Sequence, residues 1–511
     1  MAMNYLIGIG GTGARVVEAT LFLSFAGLGP DHLNIILIDP DEANGNLTRT
    51  KFLIQDYKTC KSNFPDLPED NFLMKTKIST PENFIFSIFK EKTNVKLSDY
   101  IHYHILESKN KTIADLTDIL FTEEELNTPL NEGFRGHPSI GAVIMSEIPK
   151  SEDPWKSFFQ QLKDIRTPYE AKIMLVGSLF GGTGSAGIPT LSKILKESEE
   201  AILQNENKIF LGGTFILPYF TFEIDEETLN QQKIKMFVTP DNFYIATKAA
   251  LAYYDTKNLP FDEVYLIGGD SPRITGKFSP GSKTQENLPD FIELISALAV
   301  LDFFAQQTQK PQSQKFFYAG YESNNINWNA IPITRNQKEK DIKTQQFKSK
   351  LITTTLFSYI ISTYGSNTLS KSENEIEYTW YKDHFKKDSL KNPENITKIT
   401  SLINLSKKFL WWLGSISKSE NKFLPFDTSK FLKEEPEVNA QISLLNPEED
   451  PLRPTFILRN AEDRKNENLN FNHLITIMNK TKIKKELSTS TKFIDLFFKA
   501  ARDFSTKTYN I

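Results

Sequence analysis

The sequence predicts an α/β fold built on a mainly parallel sheet, and three observations predict it. Two strand-like runs, residues 4–9 and 172–178, end in glycine-rich turns that feed helix-capable segments. Strand-length apolar runs then alternate with helical stretches as far as Asp270, the order that gives parallel strands with helical crossovers. Finally, residues 287–304 form a long helix-capable segment that is apolar almost all the way round, which calls for burial between two bodies.

At 511 residues and 58.4 kDa the chain is long enough for two or more cores. A net charge of -4 and a pI near 6.0 give no general pull towards nucleic acid or anionic membranes. Cys60 is the only cysteine, which leaves no intrachain disulfide and no cysteine-rich zinc site. The N-terminal residues run straight into a strand without an export signal. The strongest apolar run, residues 292–304, contains Glu293 and Asp302 and falls short of a membrane span. The expectation is a soluble cytoplasmic protein with no membrane or nucleic-acid partner.

Taken in order, residues 4–15 read as strand, glycine turn (Gly8-x-Gly10-Gly11-Thr12-Gly13) and the start of a helix over residues 16–25. Residues 33–39 are a buried-type strand ending in Asp39, with Asp41 two positions on. Strand, glycine turn, helix, strand, acid is the mononucleotide half of a dinucleotide-type unit, with phosphates near the glycines and ribose near the acid. Asp39 reads equally well as a strand-terminating turn residue.

Residues 45–132 are polar and irregular and read as an insertion within the first domain. His102 and His104 share a face if residues 100–106 are a strand, but two histidines without a third ligand read as surface residues, so no metal is expected. Residues 133–141 make a tight Gly–His–Pro–Gly loop with Arg135, Gly136 and His137 available to an anion, ahead of a helix at 142–147.

Residues 172–190 repeat the strand, turn and helix theme with Gly181-Gly182-Thr183-Gly184-Ser185 at the turn. Successive glycines let backbone N–H groups approach phosphate oxygens, and the following helix presents its positive end. Buried strands at 208–218, ending at Pro218, and at 263–270 follow, with a helix at 241–254 between them. In the apolar segment, Pro289 suits a first helical turn, with Asp290 and Glu293 at the positive end of the dipole.

From Arg335 the composition shifts to Lys, Ser, Thr and Asn. Helices are expected at 347–364, 396–413 and 493–504, and a strand at 455–458. Trp411 and Trp412 read as core or interface anchors, and no catalytic constellation is visible here.

With these motifs in place, the chain resembles the tubulin/FtsZ family of GTP-binding proteins, in a divergent prokaryotic form. Residues 8–13 look like its first phosphate loop, 38–41 its acid-bearing loop, 136–141 its third loop and 181–185 its signature loop. Residues 287–304 look like its central helix. The resemblance covers about residues 1–305, a Rossmann-like nucleotide-binding domain with its central helix at about 288–306. It leaves 306–511 as a divergent α+β or mostly helical C-terminal domain for interaction or assembly.

The resemblance implies GTP/GDP with Mg2+, its phosphates over Gly10–Gly13 and Gly181–Ser185. Ribose would lie near Asp39, Asp41 and Pro218, and the base near Phe291 and Glu293 or Asn287. Glu293 reads equally well as a dipole-favoured first-turn residue. It also implies self-association into an oligomer or filament. The chain departs from the family at Phe180, where another glycine is usual, and in the candidate hydrolysis loop. There Asn324, Asn327 and Asn329 stand without a carboxylate, Glu322 being the closest acid; an amide orients water but is no carboxylate base. Slow or absent hydrolysis is the expectation.

Two other classes remain. Residues 8–13 followed by Asp39-x-Asp41 and Asn46-Leu47-Thr48-Arg49 resemble the ubiquitin-activating-enzyme-like adenylating family, with Arg49 on the phosphates of ATP. That scheme has no use for residues 181–185. A non-polymerising scaffold, gated by nucleotide and binding a partner protein through residues 306–511, shares the same site. A nicotinamide-dependent oxidoreductase ranks lower, because no His or Tyr/Lys pair is placed for proton transfer.

Overall fold

The computed structural model describes residues 2–87, 89, 95–127, 129–130, 134, 138–146, 148–165, 170–202, 209–223, 240–269, 273–277, 285–306, 311–321, 325–336, 338–372, 375–385, 390–418, 422–438 and 440–511. Its centre is an eight-stranded sheet. The strands are β1 (Ala2–Ile9), β2 (His32–Ile38), β3 (Lys77–Ser79), β4 (Ile85–Phe86), β5 (Glu170–Ser178), β6 (Ile209–Ile216), β7 (Glu263–Gly269) and β8 (Lys315–Tyr321). Their order is β8-β7-β6-β5-β1-β2-β3, with β4 also on β2. Every pairing is parallel. The fold class expected from the sequence is the one observed.

Because successive strand side chains point to opposite faces, the apolar strands feed two cores. Leu6, Leu33, Ile35, Leu37, Met174 and Val176 join one cluster. Their neighbours Tyr5, Ile7, Ile36, Ile38, Ile173 and Leu175 join the other. Continuous apolar runs are what a parallel sheet covered on both faces requires.

Helices α1 (Gly10–Phe25) and α2 (Gly45–Asn63) contribute to the first cluster. On the other face lie α5 (Pro138–Met145), α6 (Gly182–Ile202) and α7 (Pro240–Lys257), with the small hairpin α3 (Tyr103–Lys109) and α4 (Lys111–Leu120) to one side. Helix α8 (Phe291–Ala305) is buried over most of its surface, as its all-round apolarity predicts.

Helices α9 (Lys340–Ile360), α10 (Pro393–Lys418), α11 (Phe471–Lys480) and α12 (Thr489–Thr508) make the C-terminal region mainly helical. They extend the first cluster rather than starting another. Phe22 of α1 stacks on Trp412 at 5.3 Å, and Phe291 stacks on Phe423 at 6.1 Å. Arg335 ties strand to helix: its guanidinium reaches Glu263 at 2.7 Å and 2.8 Å and Asp302 at 2.8 Å, and lies 4.2 Å over the Phe317 ring.

Four expectations are corrected. Residues 45–63 are not irregular but the helix α2. The Asn44 side chain caps it, accepting from the N–H groups of Asn46 and Leu47; Leu47, Leu53, Ile54, Tyr57 and Cys60 form its buried side. Residues 100–106 are not a strand: His102 sits at φ 51, a left-handed turn that starts α3, and His102 and His104 are both exposed. Residues 455–458 are not a strand either. A single 3-10 turn at Arg453–Thr455 uses Pro454, and Leu458 makes only an isolated bridge to Phe426. Helix α8 begins at Phe291, so Pro289 lies ahead of the cap rather than within the first turn.

Among the described residues no helix is long and apolar enough to cross a membrane. Nor do three or more His, Cys, Asp or Glu gather into a possible metal site there.

Candidate functional site

The chain winds outwards in both directions from the adjacent pair β1 and β5, which makes their carboxyl ends the topological switch point of the sheet. In open α/β sheets ligands bind in the crevice at that point. Both glycine runs fall there, not as turns ahead of the helices but as their first turns: Gly10–Gly13 opens α1 directly after β1, and Gly182–Ser185 opens α6 after β5.

The two turns touch. A Cβ built on Gly10 would lie 3.4 Å from the Thr183 Cβ and 3.7 Å from the Gly184 nitrogen. Gly10 has φ +72, a conformation that only glycine adopts without strain. Gly13 is needed for a second reason: a Cβ there would stand 2.6 Å from the Val176 carbonyl oxygen, inside the β5 backbone. Gly141, at the end of the third loop, packs against the Gly182 carbonyl and Ala186. Arg135, Gly136 and His137 themselves lie outside the described residues.

Helices α1 and α6 therefore point their N-termini into one crevice. Ile9 gives α1 no side-chain cap, and neither helix has an acid in its first turn. The first N–H groups of a helix lack intrahelical partners, and the dipole adds positive potential. This arrangement suits a bound anion. Thr12 and Ser185 are buried there, while Gly11, Gly181 and Thr183 are half-buried.

The second turn is braced from below. Pro189 sits within α6 and has no N–H for the Ser185 carbonyl four residues back. The Tyr254 hydroxyl of α7 supplies the missing donor at 2.6 Å. The Ser185 hydroxyl donates to the Gly181 carbonyl and closes the turn on itself. Phe180, where the family pattern has glycine, is buried against Phe243 at 4.8 Å and Phe220 at 5.3 Å.

Asp39 and Asp41 lie at the end of β2, both buried. The Asp41 N–H donates to Asp39 Oδ1 at 3.0 Å. Burial, with the charge of Asp41 adding to it, pushes the Asp39 carboxyl from 3.8 up to about 8, against the pull of that N–H. A carboxyl shifted in this direction holds its proton to a higher pH than an exposed acid does. Next to Gly11 is a cluster from which the sequence reading missed Asn44 and Gln285: Asn44 and Asn46 stand within 3.6 Å of a Cβ built there. The Asn44 amide donates to Gln285 Oε1 at 2.7 Å, the Asn46 amide donates to the Gln285 carbonyl at 3.0 Å, and Asn46 Oδ1 accepts from Asn287 N at 2.9 Å.

Glu293 and Phe291 are placed differently from a base-binding pair. Glu293 Oε1 pairs with Arg15 at 3.1 Å and accepts from the Tyr219 hydroxyl at 2.8 Å. Its Oε2 accepts from Asp290 N at 3.0 Å in a capping box. Phe291 is wholly buried, edge-on to Tyr321 at 5.1 Å. Asn287 is half-buried beside the amide cluster, and Pro218 is buried at the end of β6. Tyr219 and Arg15 escaped the sequence reading because their contact spans 204 positions; a buried arginine inside a glycine-turn helix is the one local signal.

Arg49 is engaged by Glu18, which accepts two hydrogen bonds from it at 2.8 Å, and by Glu286 at 3.1 Å. Asn327 and Asn329 are exposed around a 3-10 turn, and Glu322 and Asn324 lie outside the described residues.

No family model and no curated protein matches the chain. Among solved structures it matches CetZ2 from Haloferax volcanii, solved as a GTPγS-bound protofilament, at 16% identity and a TM-score of 0.26. The match covers 59% of this chain and 58% of that one, so the chain spans less than two thirds of the relative's length.

Proposed function

We propose that this chain is a tubulin/FtsZ-like protein that binds GTP and GDP, with Mg2+, and associates with itself in a nucleotide-dependent way. The observation that carries the reading is the meeting of Gly10 with Thr183 and Gly184 at the switch point between β1 and β5. A single dinucleotide unit needs one glycine turn; two converging helix N-termini suit the chain of phosphates in a triphosphate. Gly10–Gly13 and Gly181–Ser185 would hold the phosphates by backbone N–H groups, with Thr12 and Thr183 adding hydroxyls. Asp39, Asp41 and the amides of Asn44 and Asn46 would face the ribose side, and Asn287 is the base contact that fits best. Mg2+ would be carried by the phosphates and water, as is usual for this ion, and supplies charge neutralisation when bound.

The anchoring of Arg49 by Glu18 and Glu286 disfavours the adenylating alternative, in which that arginine would serve ATP. Hydrolysis is proposed to be slow, because Asn327 and Asn329 orient water without taking its proton. The test is binding of GTP, ATP and NAD to the purified protein, followed by a pelleting assay with each. Selective GTP binding with sedimentation supports the proposal. Selective ATP binding with pyrophosphate exchange overturns it, and GTP binding without a pellet favours the nucleotide-gated scaffold. Rapid turnover abolished by Glu322→Ala would refute slow hydrolysis.

A further inference from the structure

The run Asn46-Leu47-Thr48-Arg49 lies in the first turns of α2, and the proposed binding of phosphates makes no use of its arginine. Asn46 and Arg49 stand three positions apart, so their side chains leave the same side of the helix. Both reach the backbone of one residue. Asn46 Oδ1 accepts from the Asn287 N–H at 2.9 Å, and Arg49 Nη1 donates to the Asn287 carbonyl at 2.8 Å. The two preceding residues are held as well. The Glu286 carboxylate accepts from the same Nη1 at 3.1 Å, and the Gln285 carbonyl accepts from the Asn46 amide at 3.0 Å. Residues 285–287 belong to no helix or strand, so these side chains of α2 are what fix them.

Arg49 is itself fixed. Glu18 of α1, with its carboxylate buried, accepts from Nε and Nη2 at 2.8 Å, and the guanidinium lies 5.2 Å over the Trp411 ring. Trp411 is anchored in turn by its Nε1–H, which donates to the Glu437 carbonyl at 3.1 Å. A planar guanidinium makes such contacts together because its N–H groups point in fixed directions and its face stacks on aromatic rings. Glu18 sits on the helix that opens with Gly10–Gly13, so Arg49 ties residues 286 and 287 to the first glycine run.

The Asn287 side chain takes no part in this. Its backbone N–H and carbonyl are both engaged, while its half-buried amide makes no hydrogen bond among the described residues. An asparagine amide offers a donor and an acceptor side by side, which matches the O6 and N1–H edge of guanine. A polar group pinned by its backbone and open at its tip is preorganised for a ligand, because little freedom is left to lose on binding.

We propose that Arg49 is a positioning residue for the nucleobase: it contacts neither base nor phosphate, and through the Asn287 carbonyl it fixes the amide that pairs with guanine. The proposal rests on the nucleotide reading above and adds to it the part that sets the base contact.

The test is titration calorimetry of GTP and of inorganic tripolyphosphate, which has no base. It uses the full chain, Arg49→Lys, Asn287→Ala and the two substitutions combined. Lysine keeps a charge for Glu18 but has no fork with which to reach Asn287 as well. Arg49→Lys is expected to weaken GTP about tenfold, as the loss of one hydrogen bond does, and to leave tripolyphosphate unchanged. Asn287→Ala should do the same, and adding Arg49→Lys to it should bring no further loss, because the two act through one contact. Equal weakening of GTP and tripolyphosphate would overturn the proposal, since it puts the arginine on the phosphates or in the fold at large. Additive losses in the double variant, or GTP binding indifferent to Arg49→Lys, would overturn it too, with the nucleotide reading left standing. A parent chain that binds neither compound refutes the nucleotide reading and this proposal with it. If Arg49→Lys does not fold, hydrogen exchange on the parent chain decides. The Asn287 amide hydrogen should exchange slowly and be slowed further by GTP but not by tripolyphosphate; exchange at the rate of an open loop would overturn the proposal.

Discussion

Arg15 and Glu293 form an ion pair at 3.1 Å with side-chain exposures of 3% and 0%. It joins the helix that follows the first glycine turn to the start of the central helix, with the Tyr219 hydroxyl, accepting from Arg15 at 2.5 Å, between them. Burial pushes the Glu293 carboxyl up and the guanidinium pulls it back, so each charge depends on the other. Removing one partner of a buried pair costs about 3–5 kcal/mol, whereas replacing both by apolar groups is often neutral. Glu293→Ala should therefore lower stability by about that amount in urea unfolding, and Arg15→Met with Glu293→Leu should recover most of it.

Gly10 and Gly13 separate binding from folding. Gly13→Ala puts a methyl 2.6 Å from the Val176 oxygen and should abolish soluble expression. Gly10→Ala meets only ordinary contacts, but its positive φ costs about 1–2 kcal/mol. A folded Gly10→Ala protein should bind GTP about tenfold or more weakly, equivalent to about 1.4 kcal/mol. Thermal melting with titration calorimetry on the same samples distinguishes the two effects.

Tyr254→Phe removes a side-chain donor from the Ser185 carbonyl, which the Pro189 nitrogen cannot serve. An unsatisfied buried acceptor costs about 1–3 kcal/mol. A loss of that size, with faster amide exchange at residues 182–186, is the expected result.

Asp39 makes stability depend on pH in the opposite sense to a salt-bridged acid. The folded chain keeps a proton up to about pH 8 that the unfolded chain releases near 3.8. The native state thus binds more protons across that window, and its contribution declines as pH rises through it, levelling off above. Asp39→Asn should flatten this decline. It should raise the urea midpoint relative to the parent at about pH 9 and change it little at about pH 4.

The parallel sheet and the two glycine turns were legible because continuous apolar runs and glycine spacing are local properties of the chain. Strand β5 and helix α8 announce themselves in the same way. Helix α2 did not, since its buried Leu47, Leu53, Ile54 and Tyr57 are scattered among Lys, Asn and Thr, and its stability comes from packing rather than pattern. Strands β3 and β4 are only three and two residues long, too short to show a period. Glu293 illustrates the remaining difficulty: position at a helix start was readable, but its partners Arg15 and Tyr219 come from distant segments. Which of two equally good roles it takes was decided by tertiary contacts alone.

The last helix, α12, closes over residues near the beginning of the chain. Phe498 meets Phe72 at 4.9 Å, and Arg502 pairs with Asp70 at 3.2 Å across 432 positions. A ribosome adds about 5–20 residues per second, so the early segment emerges tens of seconds before its cover exists. During that interval Phe72 lacks the Phe498 ring that covers it in the folded chain. The contacts of α12 with Asp70 and Phe72 therefore form late in synthesis.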